Sequence, residues 1–367
     1  MFKRSRHRIS TPSKRVTPVL FFLPIVLAVA GLFFVFESSS VRAFSETGDS
    51  FHYLKLQAVW IVLGVVIMAV VSKINYRHLF SFSFASMAVT IILLLVVLLP
   101  HVGSKVGGAR RWIDLGFFNL QPTEFAKFAS ILYLSSWFSQ PKGKKFVPFL
   151  ALLGTLMFLI MMQPDMGTAI IIFFLSITIY FLAGRELRYL LYLLPAAAVG
   201  ILVLIKTSPY RFKRLLAFFD PSQDTNGIAY HISQIFISLH NGGLFGQGFG
   251  ASRQKYLFLP EAHTDSIFAI IGEEVGFVGS SLLIFAFIFF IYQLYVVHRS
   301  ISDSFGRLLS GGIFAFFSLQ IITNLSSMVG LVPLTGVPLP FISYGGSNML
   351  TSFLLMGIVL NIAKTRE

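Results

Sequence analysis

The residue with the clearest capacity for chemistry is Asp265, in the stretch Leu259-Pro260-Glu261-Ala262-His263-Thr264-Asp265. Pro260 interrupts regular structure, and Thr264 is a plausible N-cap for the apolar run that follows, which predicts Asp265 in the first turn of a helix. A lone first-turn acid ordinarily does no more than complement the helix dipole. Here His263, Glu261 and several cations share the same predicted surface. A carboxylate in such company could accept a proton from an attacking hydroxyl. The dipole would lower its pKa, so partial desolvation has to offset that for it to serve as a base.

Other acids read differently. Asp165, in Gln163-Pro164-Asp165-Met166-Gly167-Thr168, falls between two apolar runs and reads as the cap of a helix-breaking turn. Glu273 and Glu274 lie about 12 Å beyond Asp265 along a helix. A structural ion pair fits these two better than catalysis. Asp114 and Glu124 complete the acids at predicted membrane edges, where each charge needs a reason.

Two clusters suit recognition. In Arg110-Arg111-Trp112-Ile113-Asp114, the arginines suit bidentate contact with phosphate oxygens. Trp112 either stacks on a sugar face or anchors at the interface, and the anchor is the default. The run Gly242-Gly243-Leu244-Phe245-Gly246-Gln247-Gly248-Phe249-Gly250 has no lysine-serine ending and no flanking strand, so it is not a nucleotide loop. Tight turns with close backbone approach are its expected use. Two prolines and two glycines in Pro338-Leu339-Pro340-Phe341-Ile342-Ser343-Tyr344-Gly345-Gly346-Ser347 predict an ordered non-helical re-entry that walls a cavity.

These residues must be positioned by membrane helices. The chain is 55% hydrophobic and 12% charged, with a mean hydropathy of +0.78, against about a quarter charged in soluble domains. It has no cysteine, which excludes disulfides, thiolate metal sites and a cysteine nucleophile. No small-residue cleavage site follows the basic start, so no signal peptide is expected. Apolar runs long enough to span predict helices near 16–36, 54–72, 79–100, 123–138, 147–163, 167–184, 189–206, 265–298, 308–328 and 344–363. The expected fold is an all-α integral membrane protein of ten transmembrane helices, with a long structured outer loop, 207–264, between helices 7 and 8. A basic tail, 1–15, precedes a single membrane domain, 16–367.

Charge orients the bundle. Lys3, Arg4, Arg6, Arg8, Lys14 and Arg15 flank the first run, followed by Lys73 with Arg77, by Lys142, Lys144 and Lys145, by Arg185 with Arg188, and by Arg299, Arg307, Lys364 and Arg366. Every segment assigned to the inner side is basic, which predicts both termini in the cytoplasm. The net charge of +14 is thus largely topological and does not imply nucleic acid. Two outer segments are also basic: 101–122, and 207–264 with Arg211, Lys213, Arg214, Arg253 and Lys255. They read equally as solvated loops or as a cationic rim for an anionic lipid headgroup. Ile232, Ile235, Phe236 and Leu239 form an apolar stripe, placing a short helix either on the membrane surface or against the bundle.

In this order, the quoted motifs resemble those of the SEDS family (shape, elongation, division and sporulation proteins). The resemblance runs from about residue 16 to 363. Its specific pieces are Ala109 to Asp114 with Gln121-Pro122-Thr123-Glu124, Gln163 to Thr168, Leu259 to Asp265 with Gly272-Glu273-Glu274, and Pro338 to Ser347. Phe219-Asp220-Pro221, Ser252-Arg253-Gln254-Lys255 and Pro260-Glu261-Ala262-His263 are similar to the septal FtsW branch more than to the elongation branch, RodA. Asn241, Ser266 and Asn348 depart from common family choices, and none removes a proposed catalytic group.

The resemblance implies a peptidoglycan glycosyltransferase of the bacterial inner membrane that uses lipid II. It makes Asp265 the catalytic base and Trp112 a functional residue. Arg110, Arg111, Arg211, Arg214 and Lys255 are the cations available to the undecaprenyl pyrophosphate leaving group, and His263 and Glu261 share the substrate surface. A divalent ion, Mg2+ or Mn2+, is compatible with a pyrophosphate, although no ligand spacing supports one. The partner it implies is a class B penicillin-binding transpeptidase, among other divisome membrane proteins. The competing functions are a lipid II flippase, an elongation or sporulation polymerase, and a non-catalytic scaffold for the transpeptidase.

Overall fold

The computed structural model describes residues 16–365 apart from 101, 107–108, 115, 117–118, 141–144, 207 and 220–226. The predicted basic tail, Lys142, Lys144, Arg366 and Asp220-Pro221 lie outside the described residues. Helices coincide with all ten predicted runs: α1 (Val16–Thr47), α2 (His52–Val71), α3 (Leu79–Val96), α4 (Pro122–Ser139), α5 (Phe146–Met162), α6 (Met166–Leu182), α7 (Arg188–Lys206), α10 (Ile267–Arg299), α11 (Ser304–Met328) and α12 (Gly346–Lys364). The long loop adds α8 (Pro209–Phe219) and α9 (Ile228–Gly242). Six of these helices are long and apolar enough to cross a membrane, among the described residues. The helices α5 and α6 are shorter and apolar, and α4 is less apolar, burying Glu124 and Lys127.

Three features depart from expectation. Segment 101–122 carries a small antiparallel sheet, β1 (Gly103–Val106), β2 (Ala109–Asp114) and β3 (Asn119–Leu120), in a chain expected to be all-α. Too short and polar to span, it folds back as hairpins that satisfy their own backbone. Second, α1 runs eleven residues past its predicted end, carrying Glu37, Arg42 and Glu46 to the end of the bundle that holds Lys255 and Glu261. Third, Ser266 rather than Thr264 is the N-cap of α10, so Asp265 precedes the helix instead of occupying its first turn. The Ser266 hydroxyl is taken by His231 Nε2 at 2.8 Å, and Thr264 is turned toward Glu261.

Burial separates centre from rim. The most apolar window of α12 is 83% buried and that of α11 67%, against 22% for α2, α3 and α10. The central pair, with α4, carries the polar side chains, while the outer helices present Phe, Val and Leu outward. The α9 stripe packs on α10: Ile232 and Ile235 are buried with Phe268 and Ala269 in one cluster, and Phe236 stays exposed. This favours the bundle-packed reading.

α10 is broken at Gly276 (φ 68°, ψ −169°). The glycine-rich loop after α9 fills the break. Gln247 N and Gly248 N donate to Glu273 O and Glu274 O at 2.9 and 3.1 Å, and Phe277 N and Val278 N donate to Gly243 O and Leu244 O at 2.9 and 3.0 Å. Backbone groups freed by the kink are thus satisfied by another segment, as an apolar setting demands. A Cβ on Gly276 would sit 2.2 Å from Gly246 N, and an L side chain is strained at that φ. Gly276→Ala is therefore expected to destabilise the protein by about 2–4 kcal/mol, read as a lowered thermal midpoint in detergent. An unchanged midpoint would refute the close approach.

The re-entrant segment after α11 is non-helical from 331 to 345. Gln57 holds it from α2, donating to Ser343 O at 3.2 Å and accepting from Gly345 N at 3.4 Å. Leu339, Phe341 and Ile342 are fully buried.

Candidate active site

Asp265 lies on a tight turn. Glu261 has a positive φ of 49°, and its carbonyl accepts from both Thr264 N and Ser266 N at 3.2 Å. The Thr264 hydroxyl reaches Glu261 Oε2 at 3.0 Å and Asp265 Oδ1 at 3.2 Å. The other oxygen, Oδ2, faces the re-entrant segment, 3.7 Å from where a Cβ on Gly336 would lie. Desolvation by the surrounding protein, reinforced by the Glu261 charge, pushes the Asp265 pKa up to about 6, against weaker lowering by its hydrogen bonds and Arg214. Asp265 remains half-buried rather than sealed.

Next to Gly336 a cavity of about 500 Å3 opens, walled by Val332 to Thr335, by α6 and α11, and by Arg211 and Arg214 from α8. Its wall lies a few residues earlier in the re-entrant segment than predicted, because 339–343 are packed into the core. Arg211 and Arg214, three apart on one helix, face the cavity together, while Lys213 between them is exposed. The remaining lining is aliphatic, including Ile170, Ile171 and Leu319. An anionic headgroup with an apolar tail matches such a lining.

On the side of the turn formed by α1 and α2, Arg42 pairs with Glu46 at 2.8 Å and reaches Glu261 at 3.8 Å. His263 is buried among Tyr53 and Tyr344, with ring centroids 4.8 and 5.5 Å away. Burial and the neighbouring Arg42 charge hold its pKa near 4, and burial holds His231 near 4. Both imidazoles are therefore neutral at pH 7.

The other predicted residues take three kinds of place. Arg111 donates to Gln163 O at 3.1 Å and to Pro164 O, and Pro164 lines the cavity, so Arg111 stands at its rim. Arg110 donates to Leu98 O at 3.4 Å, and Trp112 lies half-buried on the same strand. Lys255 does not line the cavity. It is buried between Glu37 at 2.9 Å and Glu274 at 3.5 Å, tying the loop to α1 and α10. Glu273 accepts from Ser252 Oγ at 2.5 Å and Arg253 N at 3.3 Å, hydrogen bonds in place of the expected ion pair, which its neighbour Glu274 makes with Lys255. Asp165 caps α6, accepting from Thr168 N at 3.1 Å. No group of three or more His, Asp or Glu among the described residues could hold a metal ion.

Sequence reasoning overlooked Arg42, Tyr344 and the polar residues of α4 and α11, Lys127, Gln320 and Asn324. An amide or ammonium inside an apolar run was the signal available.

The family model described as "Cell cycle protein", covering FtsW, RodA and SpoVE, matches residues 18–367. The chain belongs to the FtsW/RodA/SpoVE family. Among relatives of this family, a probable peptidoglycan glycosyltransferase FtsW of Trichlorobacter lovleyi is 38% identical over 351 residues, covering 94% of this chain and 92% of the relative. Stage V sporulation protein E of Bacillus subtilis is 33% identical, covering 96% and 98%. The fold matches the rod shape determining protein RodA of Thermus thermophilus with a TM-score of 0.69 at 25% identity, covering 95% and 96%. It also matches a chain from "Structural coordination of polymerization and crosslinking by a peptidoglycan synthase complex", with a TM-score of 0.77 at 26% identity, covering 95% and 97%.

Proposed function

We propose that this FtsW/RodA/SpoVE family member is a peptidoglycan glycosyltransferase that polymerises lipid II at the outer face of the cytoplasmic membrane during septal synthesis. The observation that carries this reading is the juxtaposition of Asp265, with a pKa near 6, and an apolar cavity bearing Arg211 and Arg214. Asp265 takes the proton of the acceptor GlcNAc 4-hydroxyl. The oxygen attacks the anomeric carbon of the donor MurNAc with inversion, and the bond to undecaprenyl pyrophosphate breaks. Arg211 and Arg214 receive the charge that develops on the leaving group, with Arg111 at the rim. The polyprenyl chain follows the aliphatic wall. Arg42, Glu261, His263 and Tyr344 form the opposite, acceptor side, and Trp112 with Arg110 contributes from the sheet. Lys255 acts on the loop through its buried carboxylates rather than on the leaving group.

The septal assignment is favoured by the FtsW names of similar proteins at 36–38% identity. The partner is a class B penicillin-binding transpeptidase, a reading supported by the similarity to a chain of a peptidoglycan synthase complex. Ten spanning helices with both termini cytoplasmic fit the basic inner segments.

Lipid II reconstituted in liposomes with the purified chain and its transpeptidase tests this reading. New glycan polymer supports it; transbilayer movement of lipid II without polymer would replace it with a flippase. Within the same assay, Arg214→Ala is expected to lower kcat/KM by roughly a hundredfold. Lys213→Ala, on the exposed face, should stay within about threefold. Equal losses would mean that α8 contributes only bulk charge.

A further inference from the structure

One side chain joins the two halves of the site. Asn324, on the central helix α11, is fully buried. Its Nδ2 donates to Asp265 O at 2.8 Å and to Val337 O at 2.8 Å. Val337 follows Gly336, the residue that faces the Asp265 carboxylate. Both protons of a single nitrogen therefore fix the turn carrying the carboxylate relative to the segment that walls the cavity. We infer that Asn324 is a positioning residue for Asp265, clamping its turn to the re-entrant segment.

The surroundings make the clamp rigid. One turn earlier on α11, Gln320 hooks the next carbonyl, Pro338 O, at 3.0 Å and reaches Asn348 Oδ1 at 2.8 Å. Lys127 stands 3.4 Å from Gln320 Oε1. Two amides spaced i, i+4 thus hold consecutive carbonyls of the re-entrant segment, and Asn324 alone of the two also holds Asp265. Aspartate at 324 would keep the shape and lose both donors when ionised; leucine would lose all polarity; glutamine would carry the same donors on an arm one methylene longer. The buried Val337 carbonyl has no water to turn to once the amide is lost, and the Asp265 carbonyl is only partly open to it.

This inference rests on the glycosyltransferase reading, and its test separates the two. Initial rates of lipid II polymerisation, with kcat and KM resolved, are compared for wild type, Asn324→Leu, Asn324→Gln and Gln320→Leu, alongside thermal midpoints in detergent. A loss of order 1 Å in placement costs about a hundredfold. Asn324→Leu is expected to lose kcat on that scale, with KM within about threefold of wild type. Asn324→Gln should recover part of the loss. Gln320→Leu, which loosens the same segment without touching Asp265, should lower the midpoint comparably yet keep kcat within about threefold. Wild-type kcat in Asn324→Leu overturns the clamp. Equal kcat losses in the leucine variants also overturn it, since they would report general loosening. An inactive wild type would sink the reading of the activity, and amide exchange of residues 261–267 would still read the clamp. Faster exchange in Asn324→Leu but not in Gln320→Leu supports it, and unchanged exchange overturns it.

Discussion

Replacing Asp265 with asparagine is expected to lower polymerisation by roughly a thousandfold and, at the same time, to make the protein more stable. Both effects come from one cause. The carboxylate is crowded by protein and by Glu261, so its folded pKa is about 6 against a reference of 3.8. An acid whose pKa rises on folding binds protons more tightly in the native state. Stability contributed by that group therefore falls as pH rises from about 4 to about 6, and the ionised form is a burden at pH 7. Asparagine removes the burden, a gain on the order of 2 kcal/mol. The gain should vanish below pH 4, where both states are protonated. Activity runs the opposite way: a base works when ionised, so the wild-type rate should fall through a midpoint near pH 6 as the solution is acidified. Rates and thermal midpoints of both proteins across pH 4–8 check all three statements. An Asp265→Asn variant that polymerises at the wild-type rate would remove this residue from the mechanism.

The second large effect concerns stability alone. Lys127 and Glu124 lie one turn apart on α4, their side chains 1% and 3% exposed, joined at 2.7 Å. The ammonium also stands 5.4 Å from the Phe316 ring centroid. Lys127→Met leaves the carboxylate buried without its counter-charge and should cost about 3–5 kcal/mol. The double variant Lys127→Met with Glu124→Gln removes both charges and should recover most of that. Unfolding of the two proteins in detergent distinguishes them. If the double variant were as unstable as the single, packing rather than charge would explain the loss.

Much of this architecture was legible from the chain. The ten apolar runs correspond to helices because a bilayer leaves backbone polar groups no other partner than their own helix. The caps at Asp165 and the breaks around the glycine-rich and proline-rich stretches were equally readable, since φ-restricted and permissive residues act locally. The sheet in 101–122 was not, because its strands are short and their pairing is not written in any periodicity. Asp265 was recognised, but its place just outside α10 was not. The Ser266 hydroxyl at the start of α10 is held by His231, 35 residues earlier, and no local rule sees that far. Lys255 drew attention as a cation for the leaving group; only the fold brings Glu37 from α1 to neutralise it. Asn324 was passed over because an amide amid apolar residues announces burial without announcing what it holds.

The spliced break in α10 has a mechanical consequence. To swing the outer piece of that helix away from the loop, four main-chain bonds would have to part together, each at about 0.5–1.5 kcal/mol. Helix piece, loop and the Asp265 turn therefore move as a single block. α7, by contrast, packs chiefly against α8, and the two contribute Ile205, Arg211 and Arg214 to the cavity. These two helices therefore form the part of the cavity wall that is not tied into the fused block.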